Sequence, residues 1–245
     1  MLHLKGRKFA MTAKYLKYMR TRESIMKIIK IITAMFIFFL LGTYLPTYAQ
    51  SLAINSQMDF LSPLEKEIVR ELNYARTNPQ KYASVIEDLK QYYDGNLIKV
   101  PDKTPIRTRE GVKAVDEAIR YLRSVQPLPP LKVSQGMSQA ARDHVKDQGS
   151  TTMTGHKGRD GSSSFDRLNR YGQWQYISGE NISYGAETAR DVVAQLIIDD
   201  GVPSRSHRKN IFNHKFRICG VACGSHALYR HMCVITFAGG YQEKR

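Results

Sequence analysis

A chain of 245 residues and 28.0 kDa has room for one large domain or two small ones. Its 42% hydrophobic and 24% charged composition, without a G-x-y period, heptad run or low-complexity tract, excludes collagen, coiled-coil and disordered classes. The net charge of +15 does not indicate nucleic acid: nine Lys/Arg against one acid lie in residues 1–30, the part after Ala49 carries +7, and no basic run is interleaved with aromatics.

From Ile31 to Gln50 no residue is charged at neutral pH, and ITAMFIFFLLGTYL is almost wholly apolar. A run of this length is short for a membrane span and reads as a secretory signal, with Thr47 and Ala49 as the small residues that signal peptidase requires. The expectation is cleavage near Ala49 and a secreted, periplasmic or extracellular product that touches membrane only through the signal segment. An uncleaved anchor is the alternative. Met26 is a candidate true start, since MKIIK plus the apolar run is a compact signal by itself.

Residues 1–49 are therefore the basic n-region and signal, 50–60 a short tail, and 61–241 one domain with a surface insertion at about 94–130. Ser62-Pro63-Leu64-Glu65 spells a helix start, and Leu64, Ile68, Leu72 and Ala75 form its buried stripe up to Asn78-Pro79. A second helix is expected over 80–91. Turn chemistry follows at 94–110, then a third helix at 111–124 before QPLPPL, and a fourth at 135–149 capped by Ser134. Val192, Val193, Leu196 and Ile197 mark a fifth helix between Thr188 and Asp199-Asp200-Gly201. Strands come last, at 216–223 and 232–238, joined through GSHALYRHM. Helices followed by a terminal antiparallel pair predict an α+β class.

An exported chain meets an oxidising compartment, and its three cysteines are Cys219, Cys223 and Cys233. Cys219 and Cys223 lie four apart on one face of a strand and cannot bridge directly, so Cys233 takes one of them, with Cys223 closing the hairpin at its base. Three reduced, buried thiols are the alternative.

Candidate chemistry is concentrated in GHKGRDGSSSFDRLNRYGQW, GENISYG and DDGVPSRSHRKNIFN, where loops are densest, the first being a turn-rich loop that leads through Ser162–Ser164 into a short helix ended by Gly172. Asp166 and Arg167 are placed to pin the first loop by charged hydrogen bonds. Two imidazoles and a carboxylate, drawn from His156, Glu180 and His207, form a common zinc set. The absence of HExxH, G-x-S-x-G and Walker motifs excludes the best-marked hydrolase classes.

GHxGxDGSS, DRxxRYGxW, GENI, DDGVPSRxHRKNI and GVACGxH…VITFAGG together resemble the CAP domain, the fold of cysteine-rich secretory proteins, insect venom antigens and pathogenesis-related plant proteins, in its microbial form. The resemblance runs from about Leu61 to Tyr241. It implies an α-β-α sandwich and a cleft carrying two His and two acids. His156 and Glu180 match the first His and acid, Asp200 stands where the family often has Glu, and His207 of the HRxNI segment matches the second His better than His231. His231 and His226 are expected to be exposed hairpin side chains. The implied metal set is His156, Glu180, His207 and Asp200, for Zn²⁺ or another divalent cation, with Asp199 open by spacing. Two functions follow: a secreted binding module for a lipid or sterol, a cell-wall glycan or a protein, or a zinc-dependent hydrolase of peptidase type using His156, Glu180 and His207.

Overall fold

Ser62 caps helix α1 (Pro63–Thr77) through a reciprocal box with Glu65, as the sequence predicts. Glu65 is buried and does more than cap: its carboxylate also accepts the Cys223 N–H at 2.9 Å and Arg142 Nη2 at 3.0 Å. The computed structural model describes residues 58–101 and 104–244, and before these only Met26, Lys27, Lys30 and Thr33. Expectations for the signal run, its cleavage near Ala49 and residues 50–57 lie outside the described residues. Among the described residues no helix is long and apolar enough to cross a membrane.

Met58–Arg245 forms one compact unit. After α1 come α2 (Pro79–Glu87) with a 3-10 turn over Asp88–Tyr92, then β1 (Tyr93–Asp94), β2 (Leu97–Ile98) and β3 (Ile106–Arg107), a small antiparallel sheet in the stretch expected to be turns. Helix α3 (Val112–Ser124) follows and is no surface element, because Ala114, Val115, Ala118, Ile119 and Leu122 enter the main core. The insertion thus divides into a surface sheet and a core helix. Next come β4 (Lys132–Val133), α4 (Gln135–Gly149), α5 (Ser164–Tyr171), β5 (Gly172–Tyr184), α6 (Ala189–Ile198), α7 (Ser206–Ile211), β6 (Ile218–His226) and β7 (Arg230–Glu243). Ser134, Ser163 and Thr188 cap α4, α5 and α6.

The main sheet has the order β4-β6-β7-β5, with β4 parallel to β6 and the rest antiparallel. Its period-two alternation divides the core. Cys233, Ile235 and Phe237 of β7 join Val221 of β6 against the layer holding α1 and α6. Met232 and Val234 join Ala222 and Ile182 against Ala141 and Val145 of α4. Helices therefore cover both faces, giving the α-β-α sandwich. Gly220 lets α4 press close: a Cβ there would lie 2.3 Å from the backbone of Met137.

Two strand expectations need correction. The GSHALYRHM connection is mostly strand, since β6 and β7 pair from Ile218↔Ala238 to His226↔Arg230, leaving only Ala227–Tyr229 as the turn. Cys223 and Cys233 face each other in that register and are disulfide-bonded, while Cys219 is a buried free thiol. Strand β5 occupies a stretch expected to be loop. Its sequence, GQWQYISGENISY, mixes polar and apolar positions without alternation, and a bulge between Gln175 and Ser178 breaks its register.

Arg76 of α1 is fully buried without a carboxylate partner. Its guanidinium instead donates to the carbonyls of Pro129, Ile211, Asn213 and Phe216. Burial lowers its pKa to about 10, and three of the four carbonyls, those of Ile211, Asn213 and Phe216, tie the chain leaving α7 to the first helix.

Candidate functional site: two carboxylate-held histidines beside β5

Strand β5 places the first pair. Alternation turns Glu180 toward the α4–α5 layer, where its carboxylate is 2% exposed and is held by Arg167 of α5 through Nη2 at 2.9 and 3.1 Å. His156 Nδ1 lies 2.9 Å from the same carboxylate, and its side chain is 54% exposed. A carboxylate at Nδ1 fixes the proton there in the neutral ring and leaves Nε2 as the outward acceptor. The loop before His156 is clamped at Gly155. Its carbonyl accepts from Gln148 Nε2 at 2.9 Å and faces His144 Nε2 at 2.8 Å, and its N–H donates to the Tyr184 hydroxyl. Gly155 has φ of 96°, a conformation side-chain-bearing residues rarely adopt. His144 is wholly buried, and burial lowers its pKa, helped by the charge of Arg167. Arg167 completes the loop by donating to the carbonyls of Ser162 and His156, which fulfils the pinning expected of it; Asp166 closes the Ser163 capping box.

The second pair is local. SHRKNI is helix α7, not loop, and its His207 donates from Nδ1 to Asp199 at 2.6 Å. Asp199 adopts a left-handed conformation at the end of α6, φ 57° and ψ 41°, which aims its carboxylate forward to accept the N–H groups of His207 and Arg208. The Asp199 carboxylate is 1% exposed and His207 22%. On the opposite face of β5 from Glu180, Asn181 Nδ2 donates to the His207 carbonyl at 3.0 Å and its Oδ1 accepts from Asn210 at 2.8 Å, docking α7 on the strand.

A charged network fixes this corner from outside. Arg205, itself left-handed, makes bidentate contacts to Glu110 and Glu117 and caps the carbonyls of Asp199 and Val202. Arg208 is buried over the Tyr121 ring, 5.5 Å away, and bonds Ile197 O, Ile198 O and Glu117. The Arg205 guanidinium holds Glu110 down to about 2, with the Gly201 N–H assisting, and depresses Glu117 as well.

The structure thus joins His156 to Glu180 and His207 to Asp199, not the four expected residues to one another. Asp200 faces away, accepting the N–H groups of Arg109 and Glu110 at 2.7 and 2.8 Å. Its neighbour Asp199 takes the place expected of it, because the left-handed turn reverses which of the two consecutive carboxylates points at α7. Among the described residues no three His, Cys, Asp or Glu side chains are grouped to hold a metal ion. Glu180 is occupied by Arg167 and Asp199 by backbone N–H groups, so neither carboxylate is placed as a direct metal ligand, and the donors that remain are the two imidazole Nε2 atoms. His226, expected to be exposed, is buried, with Nε2 2.8 Å from Met153 O and its ring against Tyr184 and Tyr229. His231 is exposed, 3.8 Å from Glu187.

Comparison with known proteins agrees with the motif reading. Residues 117–237 match the CAP family, described as the cysteine-rich secretory protein family. The uncharacterized protein YkwD of Bacillus subtilis is 32% identical over 109 residues, 44% of this chain and 40% of its own length, so the whole of that protein is not represented. Similar solved structures include an outer surface protein of Borrelia burgdorferi (19% identity, 48% of this chain and 80% of that one, TM-score 0.39). An extracellular SCP-domain protein of Bacillus anthracis is another (23% identity, 62% and 43%, TM-score 0.38). The motifs and the family match agree: residues 117–237 of this chain carry the match to the CAP domain of the cysteine-rich secretory protein family.

Proposed function

We propose that this domain is an exported binding module that holds an extracellular ligand through His156 and His207 and does not turn it over. The observation that supports this reading most directly is the occupation of both carboxylates. Glu180 is neutralised by Arg167 and Asp199 by His207 and two backbone N–H groups, so neither is free to act as general base or metal ligand. What the site offers is two oriented imidazoles, each with Nε2 as the acceptor of the neutral ring. Hydroxyl donors match that chemistry best, which favours a cell-wall glycan over a lipid, a sterol or a protein. Export rests on the apolar run before residue 50.

The test is binding of glycan fragments, lipid vesicles and peptides to the purified chain, followed by the imidazole resonances of His156 and His207. His156→Ala and His207→Ala should each abolish saturable glycan binding while the thermal transition stays cooperative. Chelator should change nothing. Hydrolysis of a peptide or glycan substrate that disappears in the same two variants would overturn the reading in favour of catalysis.

A further inference from the structure

On the outer side of α4 and α5 lies a surface cavity of ≈ 410 Å³, within the range of about 300–1,000 Å³ common for small-ligand sites. We propose that it is an oxyanion-binding subsite, taking a phosphate or carboxylate group through Lys146, Arg159 and the Nε–H of Arg167. This does not rest on the glycan reading of the histidines.

The polar groups of the cavity divide into those that already have partners and those that do not. Its three carboxylates are engaged. Asp143 accepts from Arg170 and the Tyr171 hydroxyl, both at 2.9 Å. Asp160 accepts from Arg170 at 2.7 Å and the Ser162 N–H at 2.9 Å, and Asp147 accepts the Arg159 N–H at 2.7 Å. Arg170 is consumed in bridging Asp143 and Asp160. The donors are different. Among the described residues the side chains of Lys146 and Arg159 have no ion-pair or hydrogen-bond partner, although both line the cavity. Arg167, 2% exposed, uses Nη1 and Nη2 on Ser162, His156 and Glu180, yet its Nε has no partner. A buried guanidinium N–H without an acceptor costs about 1–3 kcal/mol, so an acceptor arriving there is favoured. With Asp143 and Asp160 bridged by Arg170 and Asp147 held by a backbone N–H, the lining side chains left without a partner are cationic donors; these select an oxygen anion, and guanidinium plus ammonium is the pairing phosphate and carboxylate accept best.

The experiment titrates the purified, ¹⁵N-labelled chain with inorganic phosphate, glycerol phosphate and acetate, reading the Arg167 Nε–H resonance together with the α4 amides. Saturable shifts that include Arg167 Nε–H are expected. Binding should weaken about tenfold for each of Lys146→Gln and Arg159→Gln, whose unchanged thermal transitions show intact folding. Equal affinity for the two phosphates with weaker acetate identifies a phosphate site, and stronger acetate a carboxylate site. Non-saturating shifts, or shifts unaltered in the K146Q/R159Q double variant, overturn the proposal.

Discussion

The two histidine anchors solve one problem in opposite ways. The His156–Glu180 pair is assembled from a loop, a strand and a helix, and its buried carboxylate is balanced by a buried cation, Arg167. The His207–Asp199 pair is built within nine residues, and among the described residues its equally buried carboxylate meets three N–H donors and no Lys or Arg side chain. Dispersed parts need a charge to hold them, whereas a helix end followed by a short helix supplies backbone donors already oriented. The first arrangement should fail when the cation is removed. The second should fail when the backbone conformation is disturbed.

The largest test of that contrast is Arg167→Met. It leaves Glu180 charged in the interior with only the His156 imidazole against it, and chemical denaturation should show a loss of about 3 kcal/mol. Adding Glu180→Met should recover most of it, because the penalty lies in the orphaned charge; a double variant no more stable than Arg167→Met breaks the explanation. Next is Asp199. Asp199→Ala removes the acceptor and places at φ 57° a residue without the side-chain oxygen that eases a left-handed turn. It should lose about 2 kcal/mol. Asp199→Asn keeps both the turn and an acceptor and should lose half of that or less. The ¹⁵N shifts of His207 should report mixed tautomers in the alanine variant alone.

Glu117→Gln probes the network that ties α3 to α7. The carboxylate is 40% exposed, so the loss should stay below about 1 kcal/mol despite contacts to two arginines. The smallest effect is acid sensitivity. His144 is held neutral by burial with its pKa lowered, so its contribution is present above the unfolded value of about 6.5 and is lost as pH falls from there through the folded value. Glu110 and Glu117 have depressed pKa values. Their contribution declines only from about pH 4.5 toward about pH 2, the folded value of Glu110. His144→Gln should flatten the stability–pH curve immediately below about pH 6.5 while leaving the carboxylate limb in place; an unchanged upper limb would assign that slope to another group.

The sequence alone determined whatever depends on spacing along one element. The caps at Ser62, Ser134 and Thr188, the stripes of α1 and α6 and the end of α6 at Asp199 are local hydrogen-bond and periodicity signals, and they are legible without a structure. The Cys223–Cys233 bridge is legible because Cys219 and Cys223 share a strand and only Cys233 is left to pair with either. Motif resemblance marks His156, Glu180 and His207, and Arg167 is recognisable as the residue pinning its loop. Tertiary structure decided the rest. Strand β5 is stabilised by pairing with β7 and not by a pattern of its own, so its sequence reads as loop. Alternation along that strand sends Glu180 and Asn181 to opposite faces, so that one holds His156 and the other docks the helix that carries His207. Asp199 and Asp200 are adjacent and chemically alike; a left-handed turn gives one to His207 and the other to the backbone at Arg109 and Glu110. Arg76, Arg205 and Arg208 look like surface charges in the sequence. Their partners are carbonyls and acids that are mostly about 90 or more positions away, and such distant pairings carry no local signature.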